Sequence, residues 1–205
     1  MGLYRQKVLP WVHNKALDTD DINEIRRRAC SSLTGEVVEI GFGSGLNVPH
    51  YPATVAHVHA VEPSAQSLRL ARERRANSVV PISIDGDDGQ FLPFPDQSMD
   101  TALVTFTLCS VSDPEAAARE LFRVLAPGGS VAYIEHGASP DPAVFKWQRR
   151  LNGINQKLSA CRLDTVAPQV LSNVGFTLAG ERAYYLDGAA RWTGYIFEGI
   201  ARRAG

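Results

Sequence analysis

The chain is poor in cysteine: Cys30, Cys109 and Cys161 are the only three in 205 residues. They are odd in number, scattered, and without a Cys-x-x-Cys pair, so neither a disulfide framework nor a zinc site is indicated, and a reducing cytoplasm fits. Long hydrophobic runs are also missing. No apolar stretch has the length needed to cross a bilayer, and the N-terminus lacks the charged-then-apolar layout of a secretory signal. Gly2 follows Met1, but Gln6 stands where a myristoylation signal carries Ser or Thr. Nor is one sign of charge in excess: 21 Lys and Arg against 22 Asp and Glu leave a net charge of −1, which recommends neither nucleic acid nor an anionic membrane as partner. The basic runs Arg26-Arg27-Arg28 and Arg72 to Arg75 fall in helix-like segments and read as solvated helix faces. These absences set the expectation of a soluble cytoplasmic protein without a structural metal, and the length is that of one domain.

What is present starts at Val37-Val38-Glu39-Ile40-Gly41-Phe42-Gly43-Ser44-Gly45-Leu46-Asn47. A β-branched run that breaks into alternating glycines is a buried strand ending in a tight turn where a ligand can touch backbone. A dinucleotide fingerprint needs its third glycine three residues after the second. Leu46 stands there, which weakens the nicotinamide reading.

On either side the pattern alternates. Residues 4–33 predict two short amphipathic helices broken near Asp18–Asp21, a lid or brace. Pro49 and Pro52 limit the helix after the glycines to a short or irregular one. Strands are predicted at Val55–Val61, Val79–Ile84, Thr101–Phe106 and Val131–Glu135. Ser64 caps a helix running to about Arg75, and Asp113-Pro114 starts one that Pro127-Gly128-Gly129 ends. Residues 142–160 place Val144, Trp147, Leu151, Ile154 and Leu158 in one apolar stripe. Thr177–Leu186 and Trp192–Ala201 form a hairpin around Asp187-Gly188. The expected fold is α/β: a Rossmann-like doubly wound sheet, mostly parallel, with a C-terminal antiparallel hairpin and N-terminal lid helices. Residues 1–34 would be the lid, 35–136 the cofactor-binding core, and 137–205 the acceptor-side helix and hairpin.

The arrangement acidic-x-Gly-x-Gly-x-Gly at Glu39, Gly41, Gly43 and Gly45 resembles the first motif of class I S-adenosylmethionine (SAM) methyltransferases. Glu62 and Pro63 at the end of the second strand match the acid that accepts the ribose hydroxyls in such folds. Asp88-Gly89-Gln90-Phe91-Leu92-Pro93-Phe94-Pro95-Asp96 resembles the third-strand loop of ubiquinone/menaquinone-type methyltransferases. That likeness implies that Asp88 accepts from the adenine amino group and that the Gly89 backbone meets the ring, with Asp87 or Asp85 as alternatives if the loop is shifted. Thr105-Phe106-Thr107-Leu108-Cys109-Ser110-Val111, Arg123 to Gly129 and Glu135-His136 complete the likeness and bring Thr105 and Thr107 to the cofactor side.

More narrowly, the chain resembles small bacterial relatives of the methyltransferase-like thiol S-methyltransferases. That likeness rests on Tyr4, Val8-Leu9-Pro10, Leu108 to Val111, Trp147 to Asn152 and Cys161 to Asp164. It implies SAM as cofactor, S-adenosylhomocysteine as product, and a small, largely apolar acceptor, tipped towards a thiol, touching Tyr4, Leu108, Cys109 and Trp147. His136 is the candidate base, with His50 and Tyr4 as alternatives. Phe106, Leu151, Tyr184 and Tyr185 are further candidates for the acceptor wall. The alternatives are a quinol or phenol C- or O-methyltransferase and a non-catalytic SAM-binding module.

Overall fold

The computed structural model describes residues 4–205; the reading of Gly2 lies outside them. A π-helical turn, Tyr4–Val8, leads into helices α1 (Leu9–Ala16) and α2 (Asp20–Cys30). Then come β1 (Gly35–Ile40), a 3₁₀ turn at Val48–His50, β2 (Val55–Val61), α3 (Ala65–Leu70), α4 (Arg72–Ala76) and β3 (Ile82–Gly86). The second half runs β4 (Met99–Thr105), α5 (Pro114–Val124), β5 (Leu125–His136), α6 (Pro142–Ser159), α7 (Ala167–Asn173), β6 (Thr177–Tyr185) and β7 (Tyr195–Arg202). Among the described residues no helix is long and apolar enough to cross a membrane.

The seven strands lie in the order β3-β2-β1-β4-β5-β7-β6. The first five are parallel, and β7 is antiparallel to both β5 and β6. Chain order reverses between β1 and β4, so a crevice opens at the carboxyl ends of these two strands, the usual ligand position in open α/β sheets. Period-two alternation feeds both faces of the sheet. Val38, Ile40, Ala102 and Val104 join Leu121 of α5 and Leu171 of α7 in one core. Val37, Leu103 and Ala132 join Cys30 of α2 and Ala71, at the α3/α4 junction, in the other.

Local chemistry accounts for most boundaries. Ser64 Oγ accepts from Ser67 N at 3.1 Å and Asp113 Oδ1 from Ala116 N at 2.9 Å, satisfying amide groups that have no partner within the helix. The predicted helix from Ser64 breaks at Ala71 into α3 and α4. Two other differences are informative. Pro127-Gly128-Gly129 does not precede β5 but bulges within it: pairing jumps from Met99↔Leu125 to Thr101↔Ser130, with Gly128 at φ 80°. Helix α6 does not dock through its apolar stripe. Trp147, Ile154 and Leu158 are more than half exposed, whereas Gln148 is fully buried. A polar row faces inward instead. Gln148 bonds Ser139 N and Gly137 O at 2.9 and 3.0 Å, Asn152 accepts from Leu163 N at 2.9 Å, and Asn155 donates to Cys161 O at 2.8 Å.

Candidate functional site

Two cavities meet at the carboxyl ends of the strands. The larger, about 780 Å³, is walled by Gly41, Gly43, Glu62, Pro63, Asp88, Gly89, Thr105 and Thr107, and by Arg26. The smaller, about 400 Å³, lies under α1 and the end of α6 and is lined by Tyr4, Val12, Cys109, His136, Leu158 and Cys161 among others. Leu9, His13, Leu17, Phe106 and Ser110 line both. Whatever passes from one cavity to the other passes this wall.

In the larger cavity the glycines are there for different reasons. A Cβ on Gly41 would stand 2.0 Å from Thr107 Oγ1. A Cβ on Gly43 (φ +59°) would meet only Gly41 O, at 3.7 Å, and so would project into open space on the cavity wall. That cradle fits a ligand lying against bare backbone. Gly45 does not reach the cavity; its place is against Val48, Ala71 and Phe42.

Glu62 is buried at 8% exposure, and its carboxylate accepts from Gly43 N at 2.7 Å and Ser64 N at 2.8 Å. Burial raises its pKa, and the two N–H bonds oppose the rise. Each oxygen keeps a lone pair for a further donor. Asp87 and Asp88 both border the cavity, and Asp88 Oδ1 accepts from Gln90 N at 2.9 Å. Asp85 turns away to His59 Nδ1, 2.8 Å distant, which leaves Asp87 and Asp88 as the acids on this wall.

Glu39 is fully buried beneath the glycine loop. It accepts from Asn47 Nδ2 at 2.9 Å and from the Tyr51 hydroxyl. Burial pushes its pKa up to about 7, against the pull of the Tyr51 and Asn47 bonds and the Arg26 charge. Arg26 completes the network, donating to Asn47 Oδ1 at 2.7 Å and Thr105 Oγ1 at 3.2 Å. Its Nε–H is buried without an acceptor. The reading of Arg26-Arg27-Arg28 as a solvated face is therefore corrected for Arg26, which is 3% exposed. It lies on the inward face of α2, one turn from Ile22 and Cys30, and that helical spacing is the signal that could have found it. Among the described residues it is the one Arg or Lys on this wall.

The shared wall is built around an unusual residue. Phe106 has φ +55°, a left-handed conformation that costs a non-glycine residue roughly 1–3 kcal/mol. Its amide donates to Ile134 O at 2.7 Å. The next three amides, of Thr107, Leu108 and Cys109, donate to the buried Glu135 carboxylate at 2.7, 2.8 and 3.1 Å. Burial lifts the Glu135 pKa to about 7 despite those three bonds. The Phe106 ring is thereby fixed between the Arg26 guanidinium, 5.5 Å from its centroid, and the His136 ring, 4.7 Å away. Glu135 is a positioning residue that the motif alone did not single out.

Tyr4 and Cys109 line the smaller cavity, with the Tyr4 hydroxyl donating to Leu158 O at 2.9 Å. Leu108 is fully buried in the core beneath, and Trp147 lines a separate shallow hollow with Val144, Leu151 and Trp192. Neither reaches the cavity: Leu108 points from the turn after β4 into the core, and Trp147 lies on the outer face of α6, opposite its polar row. Tyr184 and Tyr185 also lie elsewhere, bonded to Arg28 and Ser139. His50 lies 3.5 Å from Asn23 and on neither wall. His136 Nδ1 stands 3.8 Å from Cys161 Sγ. The Cys109 contact and the neighbouring imidazole lower the Cys161 pKa, while that same contact and burial raise that of Cys109. His13, on the wall of both cavities, has its pKa lowered by burial; no motif marked it.

Residues 38–133 match the family model described as a methyltransferase domain. The chain is 34% identical over 118 residues to phosphatidylethanolamine N-methyltransferase of Cereibacter sphaeroides, covering 55% of this chain and 58% of that one. It is 34% identical over 120 residues to demethylmenaquinone methyltransferase of Clavibacter sepedonicus, covering 57% and 48%. With thiol S-methyltransferase TMT1B of Homo sapiens the identity is 32% over 130 residues, covering 60% and 52%. The chain thus spans about half the length of these relatives. A SAM-dependent methyltransferase from Aquifex aeolicus shares the fold, with a TM-score of 0.61 at 18% identity over 94% of this chain and 97% of that one. Sequence motif, sheet order and glycine cradle agree with these matches: residues 38–133 are similar to a methyltransferase domain, and the fold is one that SAM-dependent methyltransferases share.

Proposed function

We propose that this chain transfers the methyl group of SAM to a small, largely apolar thiol held in the 400 Å³ cavity. The observation that carries the reading is the wall shared by the two cavities, with the sulfur and imidazole groups of Cys109, Cys161 and His136 on the acceptor side. The relatives named above act on an amine, a quinone precursor and a thiol by their names, so the family does not choose among acceptors. The chemistry of the smaller cavity favours sulfur.

In this reading Glu62 accepts the ribose hydroxyls, Asp88 with Gly89 meets the adenine, and Pro63, Thr105 and Thr107 complete that wall. Gly41 and Gly43 admit the cofactor to backbone; Gly45 and Glu39 hold the loop from behind. Arg26 offers its guanidinium to the carboxylate at the amino-acid end. SAM supplies a methyl on a positively charged sulfonium. Phe106, His13 and the α1 side chains exclude water and aim the acceptor, and in-line placement is the main source of rate in such a transfer. The acceptor's S–H proton leaves to His136, its sulfur gains the methyl carbon, and the old carbon–sulfur bond breaks with its electron pair on the departing thioether. Residues 35–136 supply most of the cofactor wall, joined there by Arg26, and residues 1–34 and 137–205 close the acceptor cavity around Cys109 and His136.

The test is S-adenosylhomocysteine release over a panel of alkyl thiols, phenols, quinols and amines. Turnover with thiols is expected. Turnover confined to quinols would replace the thiol by a quinone-type acceptor, and no turnover with intact SAM binding would leave a binding module.

A further inference from the structure

We propose that Cys109, His136 and Cys161 form a three-ligand site for a soft divalent cation, zinc by chemical type, whose open fourth position takes the acceptor's sulfur. The metal site stands on its own geometry; the role of its fourth position rests on the thiol reading above.

The three side chains come from segments far apart in the sequence: the turn after β4, the end of β5, and the residue that follows the left-handed Ala160 at the end of α6. Their ligand atoms all lie within 4.8 Å of one another, and His136 Nδ1 is 3.8 Å from Cys161 Sγ. With Zn–S near 2.3 Å and Zn–N near 2.0–2.1 Å, tetrahedral ligand atoms sit roughly 3.5–3.8 Å apart. The existing spacing therefore needs a contraction of at most about one ångström, within reach of side-chain rotation. Two sulfurs and an imidazole select zinc over magnesium or calcium. Three protein ligands with one free position are the pattern of catalytic zinc; four are that of structural zinc.

The backbone holds these residues in place without a metal. Arg162 N donates to Cys109 O at 2.7 Å, tying the two cysteine segments directly. Glu135 holds Cys109 N from below, and Asn155 holds Cys161 O from α6. Both cysteines are buried, at 1% and 8% exposure, yet all three residues border the smaller cavity. The cavity gives a fourth ligand its way in. The second His-rich group, His57, His59 and Asp85, is different in kind. Both nitrogens of His59 already face carboxylates, of Asp85 and Glu36 at 2.8 and 2.9 Å, and His57 Nε2 lies 2.8 Å from Ser83 Oγ. That group is satisfied internally.

A thiol bound to the cation loses its proton to solvent and remains a nucleophilic thiolate beside the shared wall. Methyl transfer turns it into a thioether, a much weaker ligand, which then leaves. The cation thus serves both activation and product release; with it bound, the role of base given to His136 above passes to the cation, and His136 holds the cation instead.

The experiment titrates the reduced 205-residue chain, freed of metal by chelation, with Co²⁺ and then Zn²⁺. We expect one cobalt per chain, with a sulfur-to-cobalt charge-transfer band and tetrahedral ligand-field bands that zinc abolishes. Cys109→Ser, Cys161→Ser and His136→Asn should each weaken binding by at least roughly tenfold, the scale on which even outer-shell partners act. S-adenosylhomocysteine binding should be retained in each, which shows that the variants fold. Should a serine variant not fold, zinc protection of Cys109 and Cys161 from alkylation in the unaltered chain gives the same answer. Absence of saturable cobalt binding, or binding unchanged in Cys109→Ser/Cys161→Ser, overturns the site. Full thiol turnover by the metal-free protein overturns the catalytic role of the cation and leaves the thiol reading standing. Tight metal binding with thiols inert overturns the acceptor in the fourth position.

Discussion

Glutamine at position 62 tests the cofactor geometry with little change of volume. The Glu62 carboxylate now accepts Gly43 N at 2.7 Å through one oxygen and Ser64 N at 2.8 Å through the other, and the residue borders the cavity. Glutamine keeps one carbonyl oxygen and turns an NH₂ toward whichever loop amide it does not accept. On the ligand side, one charge-assisted bond to a ribose hydroxyl is lost and the second is weakened. Such bonds contribute about 1.5–3 kcal/mol each, so the combined loss is about 2–3 kcal/mol, or roughly 30- to 150-fold in affinity. Folding should suffer less, because removing a buried charge offsets part of the lost bond to the loop. Calorimetric titration with S-adenosylhomocysteine, beside a thermal melt of the same sample, separates the two effects. Unchanged affinity in a folded Glu62→Gln protein would refute the argument and put the ribose elsewhere.

Gly43→Ala should leave the melt within a few degrees of the parent, since strain in the left-handed region costs about 1 kcal/mol, yet abolish cofactor binding because its Cβ points into the open cradle; cofactor binding intact by calorimetry would contradict this. Arg26→Gln should weaken S-adenosylhomocysteine binding about tenfold or more, while binding of 5′-methylthioadenosine, which lacks the carboxylate, changes little. Equal losses for both ligands would mean that Arg26 only braces Asn47 and Thr105. For Glu39 the sign follows from its raised pKa: the native state keeps a proton that the unfolded chain releases. Its contribution to stability is full below about 4.5 and lost as pH climbs through about 7. The melting temperature of Glu39→Gln relative to the parent should therefore rise between about pH 5 and pH 8; parallel pH curves would show that Glu39 does not titrate in this range.

The sheet was legible in the sequence because its strands are short β-branched runs bounded by turn residues, and because the glycine motif fixes the first crossover. That Gly41, Gly43 and Glu62 share one cavity wall was legible for the same reason, since backbone approach and a strand-end acid follow from local sequence, while Asp88 was reached through the family resemblance. What escaped depends on chain segments meeting in space. Arg26 looked like one of three equivalent arginines, and only helical phase separates it from Arg27. The apolar stripe of α6 outweighed Gln148, Asn152 and Asn155, although their amides satisfy loop groups that apolar side chains cannot. Helix α7 went unread; Pro168 and a short length give it little periodicity. The Cys109, His136 and Cys161 group has no spacing signature at all, since a sheet end and two loops assemble it.

The most direct test of the account is to follow the methyl group itself. The chain, with zinc present, is incubated with SAM carrying a trideuterated methyl and an equimolar mixture of an alkyl thiol, a quinol, a phenol and an amine, and the products are read by mass spectrometry. The account predicts the label on sulfur, with one S-adenosylhomocysteine formed for each thioether. Label on the quinol, phenol or amine with the thiol unmodified would contradict it.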